Sequence, residues 1–224
     1  MSECFAPASR LILKTIYVTI LKLESKLLKI YDRIGEKIVQ ATITRYSVEE
    51  YLERETTAEF RNEYRNGEII PMTGGTPNHN SIALNLSSAL KHGLKGKPYR
   101  VFINDVRLSI PTKNTFTYPD VMVVPNPLVY AEGRRDTITN ARVIVEVLSP
   151  SYDRSEKFEN YRTLDSFREY LLVDYDRYYI EQFTKTEDGK WLFSVHSGED
   201  AVLSLSSVEF EISLADIYEN VEFE

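Results

Sequence analysis

Two stretches decide how this chain folds: Tyr118-Pro119-Asp120-Val121-Met122-Val123-Val124 and Val143-Ile144-Val145-Glu146-Val147-Leu148. Each is a continuous apolar run rich in β-branched residues, the pattern of a central strand covered on both faces. Each also carries a single acid. A carboxylate inside such a run is costly unless it is paired or binds a metal. Pro119 has no N–H and belongs at a strand start or edge, so Asp120 stands where its strand begins or bends. Two such acids on neighbouring strands form a candidate site for a divalent cation, to which the Val147 backbone carbonyl can add an oxygen. The bland alternatives are a turn acid capping a backbone N–H for Asp120, and a buried ion pair with Arg107 or Arg142 for Glu146.

Working outward from the second acid, Ser149-Pro150-Ser151-Tyr152 ends the strand. Asp153 and Glu156 have the spacing of a capping box and predict a helix from Asp153 to Leu164. Lys157 then lies about one turn into that helix, roughly 6 Å along its axis, and its stem can reach back to Glu146. Alone it would read as a surface lysine. Tyr161 follows one turn later on the same face.

Upstream, Ser47-Val48-Glu49-Glu50 matches a capping box for a short helix through Arg54. Asn66-Gly67 within Phe60–Met72 predicts a hairpin. Asn78 is a candidate N-cap for a helix over His79–Gly93, with Ile82, Leu86, Ala89 and Leu90 inward. Tyr99–Ile110 alternates as one strand with a break near Asn104-Asp105, Glu169–Asp174 reads as a buried strand, and Tyr178–Thr184 with Trp191–His196 as a closing hairpin. Ile212–Tyr218 reads as a last short helix. His79 can orient water or simply cap its helix. Glu68, just past the hairpin turn, is a weaker candidate whose ordinary state is solvent exposure.

Composition narrows the function. With 42% hydrophobic and 27% charged residues the chain is ordinary for a soluble globular protein. Cys4 is its one cysteine, which forbids an internal disulfide and suits the cytoplasm. The three histidines are scattered, so any metal is a hard ion held by carboxylates. The net charge of −7 argues against a strong non-specific nucleic-acid binder, leaving Lys91, His92, Lys95, Lys97 and Arg100 as the densest basic cluster. No P-loop or GxGxxG is present, so no nucleotide cofactor is expected.

Residues 1–42 stand apart from residues 43–224. Leu13, Ile16, Ile20, Leu23, Leu27, Ile30 and Ile34 recur in alternating steps of three and four, a heptad-like seam on an N-terminal helix over residues 10–40. Packing on its own domain, self-association into a homodimer and lying in a membrane interface are all open to such a helix. The apolar run is too short to span a membrane.

In order, these residues resemble the PD-(D/E)XK nuclease superfamily, and more specifically the Uma family of restriction-endonuclease-like proteins. The resemblance rests on Tyr64-Arg65-Asn66-Gly67-Glu68-Ile69-Ile70, His79, Tyr118-Pro119-Asp120-Val121, Glu146-Val147-Leu148-Ser149-Pro150-Ser151, Asp153 with Lys157 and Tyr161, and Glu169-Tyr170-Leu171-Leu172-Val173-Asp174. It implies an α/β (α+β) restriction-endonuclease-like core, a mixed sheet flanked by helices in the order α-β-β-β-α-β. It implies Mg²⁺ or Mn²⁺ on Asp120 and Glu146, with DNA as substrate and a lysine aiding the attacking water. One position departs: the superfamily's lysine normally stands two residues after the second acid, where this chain has Leu148, so Lys157 must supply the amine. The activity implied is a metal-dependent endonuclease; the alternative is a non-catalytic nucleic-acid-binding or assembly module on the same fold.

Overall fold

Asn66 and Gly67 adopt φ of 45° and 99°, the positive values that a two-residue hairpin turn requires. They join β1 (Asn62–Arg65) to β2 (Glu68–Pro71) in the expected hairpin. The structure is a computed structural model that describes Lys26 and residues 44–72, 74–148 and 154–223, apart from the side chains of Arg154 and Ser155. The heptad seam and the capping residue Asp153 lie outside the described residues. Residues 45–224 form one compact unit, and no helix among the described residues is long and apolar enough to cross a membrane.

Ser47 caps α1 (Val48–Thr57) through the full reciprocal box with Glu50. The helix runs one turn past Arg54 and sets Tyr51 against Tyr64 and Phe116. α2 (Pro77–Gly93) starts two residues earlier than the sequence suggests. Its N-cap is Thr76, whose hydroxyl accepts the His79 N–H; Pro77 fits the first position because its missing N–H would have had no partner there. Asn78 instead donates to the Glu222 carbonyl.

Two sheets follow. The six-stranded sheet has the order β11-β10-β9-β8-β6-β3, built from β3 (Tyr99–Ile103), β6 (Val121–Pro125), β8 (Val143–Val147), β9 (Glu169–Val173), β10 (Tyr179–Lys185) and β11 (Trp191–Ser197). β8 and β9 are parallel, their crossover carrying α3 (Arg154–Tyr161); the other pairs are antiparallel. α2, β3, β6, β8, α3 and β9 are thus the helix-strand-strand-strand-helix-strand core. The five-stranded sheet has the order β2-β1-β5-β4-β7, adding β4 (Arg107–Ile110), β5 (Thr115–Thr117) and β7 (Thr137–Ile138).

The single strand expected over Tyr99–Ile110 is therefore two strands in different sheets. Asn104 takes φ of 32°, a left-handed turn that a short polar side chain tolerates, and the chain leaves one sheet for the other there. A second correction concerns the C-terminus. β12 (Val202–Leu205) pairs with β13 (Phe210–Ser213), and only α4 (Leu214–Ile217) is helical where a helix over Ile212–Tyr218 was expected. The helix predicted to end at Leu164 ends at Tyr161.

Period-2 alternation splits the core. Val121, Val123, Val143, Val145 and Val147 pack with Ile82, Leu86 and Leu90 of α2. Met122, Val124, Ile144 and Leu148 face the other way, with Leu108 and Ile110 of β4 and with Tyr161. Glu146 belongs by alternation to this second face, on the side of α3.

The C-terminal hairpin is held by a different acid. Glu169, fully buried, accepts from the Ser206 and Ser207 N–H groups at 3.0 and 3.2 Å and from Gln182 Nε2 at 3.2 Å. Its charge is met by donors rather than by a cation. Glu169→Gln removes the charge from these bonds and is expected to lower unfolding free energy by about 2 kcal/mol, read by urea denaturation with m unchanged.

Candidate active site between the two sheets

β6 and β8 pair with Val121 opposite Val145 and Met122 opposite Ile144. Carried one residue further, that register sets Asp120 opposite Glu146. Both are buried, at 8% and 3% exposure. Like charges opposed across a strand pair repel, so other groups must offset them. Asp120 Oδ2 accepts the Val147 N–H at 2.8 Å and lies 3.2 Å from His79 Nε2. Asp120 does bond a backbone N–H, on the neighbouring strand. Its Oδ1 has no hydrogen-bond partner among the described residues.

Glu146 pairs with neither arginine named from the sequence. Arg107 donates to the Tyr118 hydroxyl and Arg142 to the Ser207 carbonyl. The partner is Lys157, whose Nζ lies 3.1 and 3.2 Å from the two Glu146 oxygens. The Tyr161 hydroxyl donates to Glu146 Oε1 at 2.6 Å. One turn of α3 separates the two donors, so one helix face grips one carboxylate. α3 is fixed by Phe158, which stacks on Tyr170 and meets Phe183 and Trp191.

A third acid reaches the same lysine. Glu63 of β1 lies 3.2 Å from Lys157 Nζ through Oε1, so Lys157 joins the two sheets. Thr117 also donates to Glu63 Oε1, and Arg65 Nη2 to Oε2 at 2.9 Å. Arg65 Nη1 continues to Glu156 of α3, also at 2.9 Å. Glu68 stays exposed at the start of β2 and is not brought to this cluster. Sequence reading passed over Glu63 because Asn62-Glu63-Tyr64-Arg65 looks like a solvated hairpin arm. The one available signal is alternation: Tyr64 faces α1, which turns Glu63 and Arg65 to the opposite side.

Burial pushes the Glu146 carboxyl up to about 7, with the charges of Asp120 and Glu63 adding to the rise and Lys157 and Tyr161 opposing it. At Glu63 burial acts upward too, but Lys157, Thr117 and Arg65 together hold its carboxyl below the usual range. Burial works against the Lys157 charge, yet Glu146 and Glu63 keep its ammonium above the usual value. The bond to Asp120 raises His79. The ring of His79 sits beside Gly75, where a Cβ would come within 2.8 Å of Nδ1.

A divalent cation fits this donor set in one respect: two opposed buried carboxylates, one with an oxygen that has no hydrogen-bond partner among the described residues, are relieved by positive charge between them. Among the described residues no three His, Cys, Asp or Glu side chains gather as a ready-made cage. The protein would offer the two carboxylates, with the Val147 carbonyl as the other candidate oxygen. Mg²⁺ suits such sparse ligation because it retains waters and takes phosphate oxygens.

Comparison with known proteins agrees with the fold. A family model described as "Uma2: Putative restriction endonuclease" matches residues 48–215. A Synechocystis protein, the uncharacterized sll1609, is 37% identical over 172 residues, covering 75% of this chain and 97% of its own length. The uncharacterized slr1290 of the same organism is 34% identical over 188 residues, covering 82% of this chain and 96% of its own. The crystal structure of "a putative nuclease belonging to DUF820" from Anabaena variabilis superposes with a TM-score of 0.63 at 19% identity, covering 77% of this chain and 97% of that one.

The raised Glu146 carboxyl gives a signed pH dependence. The native state holds this proton up to about 7 while the unfolded chain releases it near 4.5. Its stabilising contribution is complete below the unfolded value and lost as pH rises through the folded one. Urea unfolding without divalent cations should therefore show wild type losing stability relative to Glu146→Gln between about pH 5 and 8. A difference independent of pH would contradict this.

Proposed function

The chain belongs to the Uma2 family, and from that premise we propose that it is a metal-dependent endonuclease hydrolysing DNA phosphodiester bonds at the Asp120–Glu146–Lys157 cluster. The observation that carries the reading is the buried Lys157 ammonium held 3.1 Å from Glu146, itself opposite Asp120. A surface lysine would gain little from such burial, whereas an amine beside a cation-binding acid pair suits attack on a phosphate.

Asp120 and Glu146 would hold Mg²⁺ or Mn²⁺ with the Val147 carbonyl. When bound, the cation supplies a lowered water pKa and neutralises phosphate charge. Asp120 keeps its carboxylate aimed through the Val147 N–H. His79 meets the same Asp120 oxygen, Oδ2, and helps to fix that carboxylate. Lys157 orients the attacking water or stabilises charge developing on the phosphate. Tyr161 holds Glu146 by its hydroxyl and keeps that carboxylate in one rotamer. We take the acting form to be a homodimer, which would offer two such centres to two strands.

Plasmid cleavage with Mg²⁺ or Mn²⁺ tests the proposal. Asp120→Ala and Glu146→Ala are expected to abolish cleavage, and Lys157→Ala to reduce it at least about 100-fold, while circular dichroism shows all three folded. Wild-type rates retained by both acid variants would sink the reading.

A further inference from the structure

Lys157 is gripped from both sides, and the two carboxylates that grip it have different surroundings. Glu146 stands opposite Asp120, where the proposed cation would bind. Glu63 belongs to the other sheet, and its oxygens are engaged by Thr117, Arg65 and Lys157. A cation drawn to Glu146 would compete with Lys157 for its electron pairs and repel the ammonium. An amine held by Glu146 alone would be loosened at the moment it is needed.

We propose that Glu63 is the positioning residue for Lys157: it anchors the ammonium from the five-stranded sheet when Glu146 turns to the metal, without itself becoming a ligand. The inference rests on the nuclease reading. Three features of the structure support it. Glu63 Oε1 is 3.2 Å from Nζ, as close as the second Glu146 oxygen. Thr117 and Arg65 fix the Glu63 carboxylate, and the same Arg65 guanidinium reaches Glu156, so β1 holds two consecutive residues of α3. The anchor is nearly dry, with Glu63 buried; a charge-assisted bond keeps its strength there. Beside it lies a cavity of about 10 Å³ lined by Glu63, Thr117, Lys157 and Tyr161 among others, enough for about one water.

The test uses the full-length protein carrying Glu63→Gln, Glu63→Asp, Lys157→Ala and the Gln–Ala double substitution. Mn²⁺ affinity is read by calorimetry, kcat and KM by plasmid cleavage at saturating Mn²⁺, and exposure of Lys157 by its acetylation rate with Mg²⁺ present. Glu63→Gln should leave Mn²⁺ affinity within about 3-fold of wild type and KM little changed. It should lower kcat about 10- to 100-fold, the usual result of misplacing a reacting group, and speed Lys157 acetylation. Glu63→Asp, which keeps the charge, should recover part of both effects and covers the case in which the Gln variant does not fold. In the Lys157→Ala background Glu63→Gln should change kcat by less than about 2-fold, because a residue acting through the lysine has nothing left to act on.

Loss of Mn²⁺ binding in Glu63→Gln would make Glu63 a ligand and overturn the proposal. So would an undiminished kcat, or an equal further loss in the Lys157→Ala background. These results leave the nuclease reading standing provided Lys157→Ala itself is impaired. No cleavage by wild type would overturn both.

Discussion

The structure turns on one ion pair, the Lys157 ammonium against the Glu146 carboxylate. Glu146 is the fourth of the five residues of β8, all of them buried, so its charge has almost no water to stabilise it. Removing one partner of such a pair usually costs about 3–5 kcal/mol, because the other charge is left buried and alone. Natural cores seldom keep that arrangement for stability, since well-packed apolar residues of similar volume do as well. Its presence on one of the two central strands of the six-stranded sheet asks for a chemical reason.

Much of the surrounding architecture serves that pair. α2 packs on one face of the six-stranded sheet through Ile82, Leu86 and Leu90 and leaves the other face to α3. The Phe158–Tyr170–Phe183–Trp191 cluster sets the height of α3, and so how far Lys157 and Tyr161 reach. The five-stranded sheet closes the site from the far side with Glu63, Thr117 and Arg65. A separate buried network, in which Arg107 donates to Tyr118 and Tyr118 to Glu55, ties α1 and β4 to the segment leading into Asp120.

Asp120, just before β6, and Glu146 on β8 were legible because each interrupts an apolar run, and a carboxylate there has few physical excuses. Lys157 and Tyr161 followed from helical spacing once a helix start was recognised. The hairpin at Asn66-Gly67 and the box at Ser47 were equally plain, since both are local and demand particular residues. Glu63 was not legible, because its burial comes from β1 pairing with β5, some fifty residues away, and from a helix beyond that. The break near Asn104-Asp105 was legible, because the alternation slips by one residue between Ile103 and Val106, but not that its two halves pair in different sheets. Val202–Leu205 and Phe210–Ser213 pair with each other, and neither has the long apolar run that marked the central strands. Long-range pairing, not local preference, separated what was read from what was missed.

The central claim is that Asp120 and Glu146 form a cation site coupled to Lys157. Calorimetric titration of Mn²⁺ into wild type, Asp120→Ala and Glu146→Ala in the absence of DNA addresses it directly. The account predicts one site per chain in wild type and its loss in both variants. Undiminished Mn²⁺ binding in the variants, or none in wild type, would contradict it.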